Sequence, residues 1–169
     1  MSPGTAAHRV RRARPDDWPS VRELLREVDD LHAALAPEYF RSAPRSDQEW
    51  SRLMEEDNGA VFVVDAPAAV APAGGGDPIA VLVARIYDTP NDPSMVQRRR
   101  IHVETVVVCC KHRRQGIGRR LVDEAVAWGR SHGAVEVVLT TWTGNTDAEA
   151  FYARLGYREL SRVLFAPIA

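Results

Sequence analysis

Val106-Val107-Val108-Cys109-Cys110-Lys111-His112-Arg113-Arg114-Gln115-Gly116-Ile117-Gly118-Arg119-Arg120-Leu121 is the stretch that decides how this chain folds. An aliphatic run ends in a basic turn with two spaced glycines. Directly behind it, Ile117, Leu121, Ala125 and Trp128 recur at helical spacing. The order predicts a strand, a cationic turn and a helix over 114–132, with Gly133 just past its end in the position glycine favours. A helix N-terminus leaves backbone N–H groups unpaired and carries the positive end of the macrodipole, which suits a pyrophosphate. Glycine lets that backbone approach an anion with no Cβ between them.

Two familiar phosphate loops do not fit. A Walker-type loop closes on Gly-Lys-Ser/Thr, and here Gly118 is followed by Arg119-Arg120. A dinucleotide fingerprint needs a third small residue where Leu121 stands. The spacing Arg113-x-x-Gly116-x-Gly118, five residues beyond Val108, instead resembles the acyl-coenzyme A pyrophosphate loop of the GNAT superfamily of N-acetyltransferases. A second stretch, Asn145-x-x-Ala148-x-x-Phe151-Tyr152-x-x-Leu155-Gly156-Tyr157, resembles the same family's C-terminal motif and follows at the expected distance. The resemblance covers roughly residues 98 to 165; the N-terminal half agrees in layout only.

Outward from the loop, the chain alternates strand and helix patterns. A short strand is expected over His8 to Ala13. Pro15-Asp16-Asp17 opens a helix whose apolar face is Trp18, Val21, Leu24, Leu25, Val28, Leu31 and Leu35, stopped by Pro37. Ser46 and Glu49 form a capping box for a second helix to about Glu56. Strands follow over Ala60 to Val64 and Ile79 to Tyr87, joined by an Ala/Pro/Gly-rich hairpin loop, 66–78, expected to be flexible. A long strand spans Arg98 to Val108. Beyond the central helix lie a strand over Ala134 to Thr141, a helix over Thr146 to Leu155 closed by Gly156, and a last strand or strand pair over Tyr157 to Phe165. This is an α/β (α+β) layout of one domain, 1–169, with 1–7 a flexible tail. The resemblance implies a GNAT fold, a mixed, mostly antiparallel sheet flanked by about four helices.

The same resemblance implies acetyl-coenzyme A as cofactor and assigns parts to residues. Val106, Val107 and Val108 offer backbone groups to the pantetheine arm, and an N–H there serves the oxyanion. Arg113, Arg114, Gln115, Gly116, Ile117, Gly118 and Arg119 form the pyrophosphate loop, with Arg113 directed at the phosphates and Arg120 left to solvent. Asn145 either bonds the cofactor or opens its helix, and Thr146–Glu149 reads as a cap. Tyr152 is the expected general acid toward the thiolate, since a phenol is protonated at neutral pH. For the base, His102, Glu104 and Val106 alternate along one strand and are expected on one face. Glu104 is slightly preferred to His102, whose ordinary pKa of about 6.5 is better suited. The acceptor, a primary amine of a small molecule or peptide, is expected near Asp29, Asp30, His32, Glu38 and Tyr39. Direct attack in a ternary complex is the expected route, with a non-catalytic acyl-coenzyme A-binding or regulatory module as the alternative.

Composition sets the outer bounds. At 169 residues the chain can bury about 70% of its unfolded surface. A formal net charge of −1 argues against a general nucleic-acid or membrane-surface binder. No secretion signal or ~20-residue apolar span is seen. The two cysteines, Cys109 and Cys110, are adjacent, with neither a disulfide framework nor metal-ligand spacing, so a reducing cytoplasm is expected. A nucleophilic role for them is the weaker reading. Arg98-Arg99-Arg100 reads as edge protection rather than a substrate patch. A homodimer is compatible with the family.

Overall fold

The computed structural model describes residues 8–67 and 76–168. The expected N-terminal tail, 1–7, and the middle of the hairpin loop, 68–75, lie outside the described residues. The elements run β1 (Val10–Arg12), α1 (Trp18–Leu35), α2 (Asp47–Glu55), β2 (Gly59–Asp65), β3 (Pro78–Asp88), β4 (Arg99–Val108), α3 (Ile117–Ser131), β5 (Glu136–Leu139) and α4 (Thr146–Arg154). Short three-ten turns at Pro15–Asp17 and Cys110–His112 precede α1 and α3. The sheet has 5 strands in the order β1-β2-β3-β4-β5. All neighbours are antiparallel except β4 and β5, which α3 connects in parallel.

Both faces of the sheet are covered, so the central strands read as unbroken apolar runs. Phe62, Val64, Leu82 and Ile101 face α3, where Ile117, Leu121, Val122 and Ala125 meet them. Val61, Val63, Val81, Val83 and Val107 face α1 and α2, against Val21, Leu24, Leu25 and Trp50. Each fully buried aliphatic side chain contributes ~1.5–3 kcal/mol. Trp18 and Trp50 stack at 5.3 Å and lock α1 to α2. The Ser46 box forms as predicted: the Ser46 hydroxyl accepts from Glu49 N–H, and the Glu49 carboxylate accepts from Ser46 N–H. Arg11 ties β1 to both neighbours, donating to Asp17 at 2.8 Å and to Asp65 at 2.6–2.7 Å. Burial would raise the Asp17 pKa, but the bonds from Arg11 and from the Arg14 backbone outweigh it, and the carboxyl lies below its usual value.

The strand ends shift by a residue or two, as in β1 and β5, which are shorter than expected at both ends, and three further features differ. α3 begins at Ile117 rather than 114, because Arg114 and Gly116 both take positive φ, +65° and +77°, and shape a turn before it. Asn145, not Thr146, caps α4, its side-chain oxygen accepting from Ala148 N–H at 3.2 Å. The strand over Tyr157 to Phe165 does not form. Gly156 ends α4 with φ +88° as expected, yet Arg158 to Ile168 is irregular and exposed throughout. β-propensity without a paired neighbour does not make a strand.

Candidate active site

The turn after β4 is built to leave donors free. Cys109 N–H closes on Ile79 C=O at 2.9 Å and completes the strand. The three-ten turn then carries the chain away from the sheet, and the left-handed Arg114 and Gly116 bend it into α3. Among the described residues, no backbone or side-chain acceptor meets the amides of Arg114, Gln115, Gly116, Ile117, Gly118 or Arg119; the first to bond is Arg120, to Gly116 C=O at 3.2 Å. A run of unpaired N–H groups at the start of a long helix is an anion cradle. Gly118 has a different task from Gly116. A Cβ there would stand 3.2 Å from the Phe151 ring, so this glycine lets α4 pack against the start of α3.

The arginines divide. Arg113 does not point into open space: its Nε donates to Val108 C=O at 3.0 Å and its Nη2 approaches Glu27 at 3.5 Å. Arg119 leans toward Asp123 at 3.7 Å, and Arg120 donates to His8 C=O at 3.3 Å. The Arg114 guanidinium has no protein partner among the described residues.

β4 opens from its parallel neighbour just below this turn. The β4–β5 ladder runs from Arg100↔Glu136 to Val103↔Leu139 and stops, while the β3 ladder continues to Val108↔Ala80. One edge of β4 from Glu104 to Val108, including Val106, Val107 and Val108, therefore has no strand partner among the described residues and leads to the amide cradle. The divergence coincides with a bulge. Val83 pairs with Thr105 and Ala84 with Val103, leaving Glu104 as the extra residue. A bulge inverts the alternation beyond it. Ile101, Val103, Val106 and Val108 consequently pack on the α3 side, and Val107 on the α1 side. The expected sharing of one face by His102, Glu104 and Val106 is corrected: Val106 is turned to the opposite face.

On the α1 side of β4 lies a polar group that the sequence pattern did not reveal. Arg85, opposite His102 in the ladder, binds the Glu104 carboxylate through Nη1 and the Glu56 carboxylate through Nε and Nη2. Glu104 is therefore an ion-paired carboxylate, not a free one. His102 is half-buried with the Tyr87 ring edge-on at 6.2 Å. Desolvation, then the nearby Arg85 charge, push its pKa below the usual value, so it is an uncharged acceptor at neutral pH.

Tyr152 projects from α4 between Phe151 (5.0 Å) and Tyr157 (5.4 Å). Burial first, and Tyr157 second, raise its pKa well above the ordinary phenol range. It holds its proton firmly at neutral pH.

The linker between α1 and α2 folds over this side. Asp29 accepts two bonds from Arg45 at 2.7–2.8 Å, and Asp30 accepts from Ser42, so both acids organise the linker. Tyr39 and Phe40 pack on Trp142 at 5.4 and 4.6 Å, with His32 against Phe40 at 5.0 Å. This aromatic cluster joins the linker to the loop after β5; its residues lie too far apart in sequence for any local motif. Glu27, Cys109 and Cys110 place one ligand atom each within 4.8 Å of one another, so the adjacent thiols gain a third donor from α1.

A sequence model of the Acetyltransferase (GNAT) family matches residues 18–157. The chain belongs to the GNAT acetyltransferase family. Among curated GNAT relatives, human N-acetyltransferase 8 is 30% identical over 84 residues, 50% of this chain and 37% of that protein. The Serratia marcescens aminoglycoside N(6')-acetyltransferase type 1 is 32% identical over 63 residues, 37% of this chain and 43% of that protein. The chain thus matches less than half the length of these relatives. A mutant of the BH1408 protein from Bacillus halodurans shares the fold at TM-score 0.87 and 24% identity, over 95% of this chain and 99% of that one. An aminoglycoside N-acetyltransferase, AAC(6')-Iy, solved in complex with CoA, aligns at TM-score 0.66 and 20% identity over 95% and 99% of the two chains. A soil-metagenome aminoglycoside acetyltransferase in complex with sisomicin aligns at 0.68 and 15%, over 95% and 96%. The single-domain mixed sheet with four helices is the GNAT fold. No helix among the described residues is long and apolar enough to cross a membrane.

Proposed function

We propose that this GNAT chain is an N-acetyltransferase that moves an acetyl group from acetyl-coenzyme A to a primary amine of a small molecule or peptide. The observation that carries this is the continuous run of unpaired amides from Arg114 to Arg119 at the mouth of the unpaired β4 edge. The donor set fits the cofactor: amides and the Arg114 guanidinium for the pyrophosphate, and the Glu104–Val108 edge for the amide-bearing arm. Acetyl-coenzyme A supplies the acetyl group as an activated thioester. Asn145 serves by capping α4 and so positioning Tyr152, which accounts for it without direct cofactor contact.

The proton chemistry belongs to two side chains. His102, uncharged and with a lone pair free to accept, is the base we favour over Glu104, one oxygen of which is committed to Arg85. Glu104 acts by holding Arg85 near the imidazole, which keeps His102 from protonating. Tyr152 donates a proton as negative charge develops on the leaving sulfur, the rest of the phenol being buried against α4 and Tyr157. An N–H from the open β4 edge steadies the oxyanion, preorganised by the β3 ladder behind it. The amine enters past the aromatic cluster of Tyr39, Phe40 and Trp142, which suits a cationic or flat acceptor by cation–π or stacking contact. We place the protein in the cytoplasm, with a homodimer as its assembly.

Calorimetry with acetyl-coenzyme A, followed by thiol release over a panel of amines, tests the reading. Binding with turnover supports it. Binding without turnover on any amine favours the non-catalytic acyl-coenzyme A module, and no binding sinks both.

A further inference from the structure

The two thiols that the acetyl-transfer chemistry leaves unused stand beside a third donor. Cys109 and Cys110 are the chain's only cysteines, and both are free. Adjacent in sequence, they have no metal-ligand spacing by themselves. The fold supplies what the spacing lacks. α1 brings a Glu27 carboxylate oxygen to them, and the three ligand atoms all lie within 4.8 Å of one another. A tetrahedral zinc centre with Zn–S bonds of ~2.3 Å holds its sulfurs ~3.8 Å apart, so side-chain rotations moving these atoms by about 1 Å close the gap. The donors come from two fixed elements. Cys109 is anchored at the end of β4 by its N–H bond to Ile79 C=O at 2.9 Å, and its side chain packs against the buried cluster beneath α1. Cys110 starts the three-ten turn, in which His112 N–H bonds to Cys109 C=O at 2.8 Å. Glu27 lies in the same helix as Leu24 and Leu25, which are buried against the sheet.

We propose that Glu27, Cys109 and Cys110 form a site for one zinc ion, with the fourth coordination position open to solvent. The donor set selects the ion. Two thiolates disfavour magnesium and calcium, which take oxygen ligands, and favour zinc. On binding, each thiol releases its proton to solvent as the sulfur–metal bond forms, and the carboxylate contributes one oxygen. Two thiolates, one carboxylate and a divalent cation leave one net negative charge. Arg113 stands where that charge would be, its Nη2 3.5 Å from a Glu27 oxygen. A carboxylate that gives one oxygen to the metal keeps the other for this guanidinium, which orients it as outer partners orient metal ligands. Cys110 is exposed, so the ion enters from solvent and keeps one position for water. The site also lies at a junction. Cys109 follows Val108, the last residue of β4, and Arg113 begins the glycine-spaced part of the turn. An ion here ties that turn to α1 through metal bonds, in addition to the Arg113–Glu27 pair.

Cobalt(II) titration of the reduced full chain, in buffer without added thiols or acetyl-coenzyme A, tests this. A thiolate-to-cobalt charge-transfer band in the near ultraviolet should saturate at one ion per chain. One equivalent of zinc should abolish the band, and excess magnesium should leave it unchanged. Cys109→Ser and Cys110→Ser should each roughly halve the band at saturation, since its intensity counts thiolates. Glu27→Gln keeps both thiolates, so the band persists, but cobalt affinity should fall at least ~10-fold, because losing even an outer partner of a ligand costs ~10–100-fold. Far-UV circular dichroism checks that each variant is folded. Cys110→Ala, at an exposed position, gives the same readout should Cys109→Ser fail that check. Absence of the band overturns the inference, as does saturation at half an ion per chain, which an ion shared between two chains would give. Unchanged cobalt affinity in Glu27→Gln overturns the three-donor site and leaves an ordinary surface thiol pair.

Discussion

The two halves of β4 are one strand with opposite duties. From Arg99 to Val103 it is bonded on both edges, to β3 and β5, and its apolar side chains Ile101 and Val103 are buried under α3. From Glu104 to Val108, among the described residues, it is bonded on one edge only and ends in a turn whose amides have no partner. The lower half gains stability from closure. The upper half forgoes half of its ladder and keeps polar backbone available at a fixed place. A rigid, unsatisfied edge is produced by making its immediate neighbour fully satisfied.

Substitutions should separate the halves. The largest effect is expected at their junction, where His102→Ala should lower kcat/KM by about 10²–10⁴-fold, with thermal stability little changed. Because the His102 pKa is depressed, wild-type kcat/KM should rise with pH through a value below the usual ~6.5 and be flat at neutral pH. The variant should lose that limb. Glu104→Gln should keep a limb and move it; if instead Glu104→Gln abolishes the limb and His102→Ala preserves it, the base is misassigned. Tyr152→Phe should cost about 10²-fold in kcat with little change in KM, the low end of the range for a single proton-transfer group.

The lower half answers through stability. Gly129 of α3 lies so close to β4 that a Cβ there would overlap the Ile101 side chain. Gly129→Val should cost about 2–3 kcal/mol through overpacking, read by denaturant midpoint, while acetyl-coenzyme A affinity per folded molecule stays constant. Gly116→Val is the reciprocal change. Its φ of +77° strains any side chain, although no atom blocks the space, so cofactor affinity should fall more than stability. Equal losses in both quantities for both variants would dissolve the distinction.

A smaller effect is expected away from β4. Asp17→Ala should cost ~2 kcal/mol, since Arg11 keeps Asp65 as a partner. The folded-state Asp17 pKa is depressed, so its contribution is present above the unfolded value of about 3.9 and is lost as pH falls through the folded one. Wild-type and variant stability should therefore converge in acid, a trend that pH-dependent melting would show.

Legibility in the sequence followed the range of the interaction. The glycine turn, the Ser46 box, the Gly156 stop and the apolar faces of α1 and α3 are short-range patterns, and the structure contains them. The Arg85 bridge between Glu56 and Glu104 joins three elements, and the cluster of Tyr39, Phe40 and Trp142 spans most of the chain. No local pattern encodes either. Arg113 was legible as a residue of the turn but not in its direction, because Glu27 reaches it from a distant helix. The absent strand after Tyr157 shows the converse: side chains can prefer extended backbone while no strand among the described residues pairs with it.

Glu104 sets the phase of β4. One residue that opposes nothing on β3 shifts every later side chain by half a period, so the strand obeys one alternation rule below it and the inverse above. Deleting Glu104 would remove one carboxylate, but its greater effect would be to return the strand to a single phase. Thr105 to Val108 would keep the faces and the β3 partners they have now, in one unbroken alternation with Val103, and the wedge beside β5 would lose the kink that opens it. The active edge depends as much on a count of residues as on their chemistry.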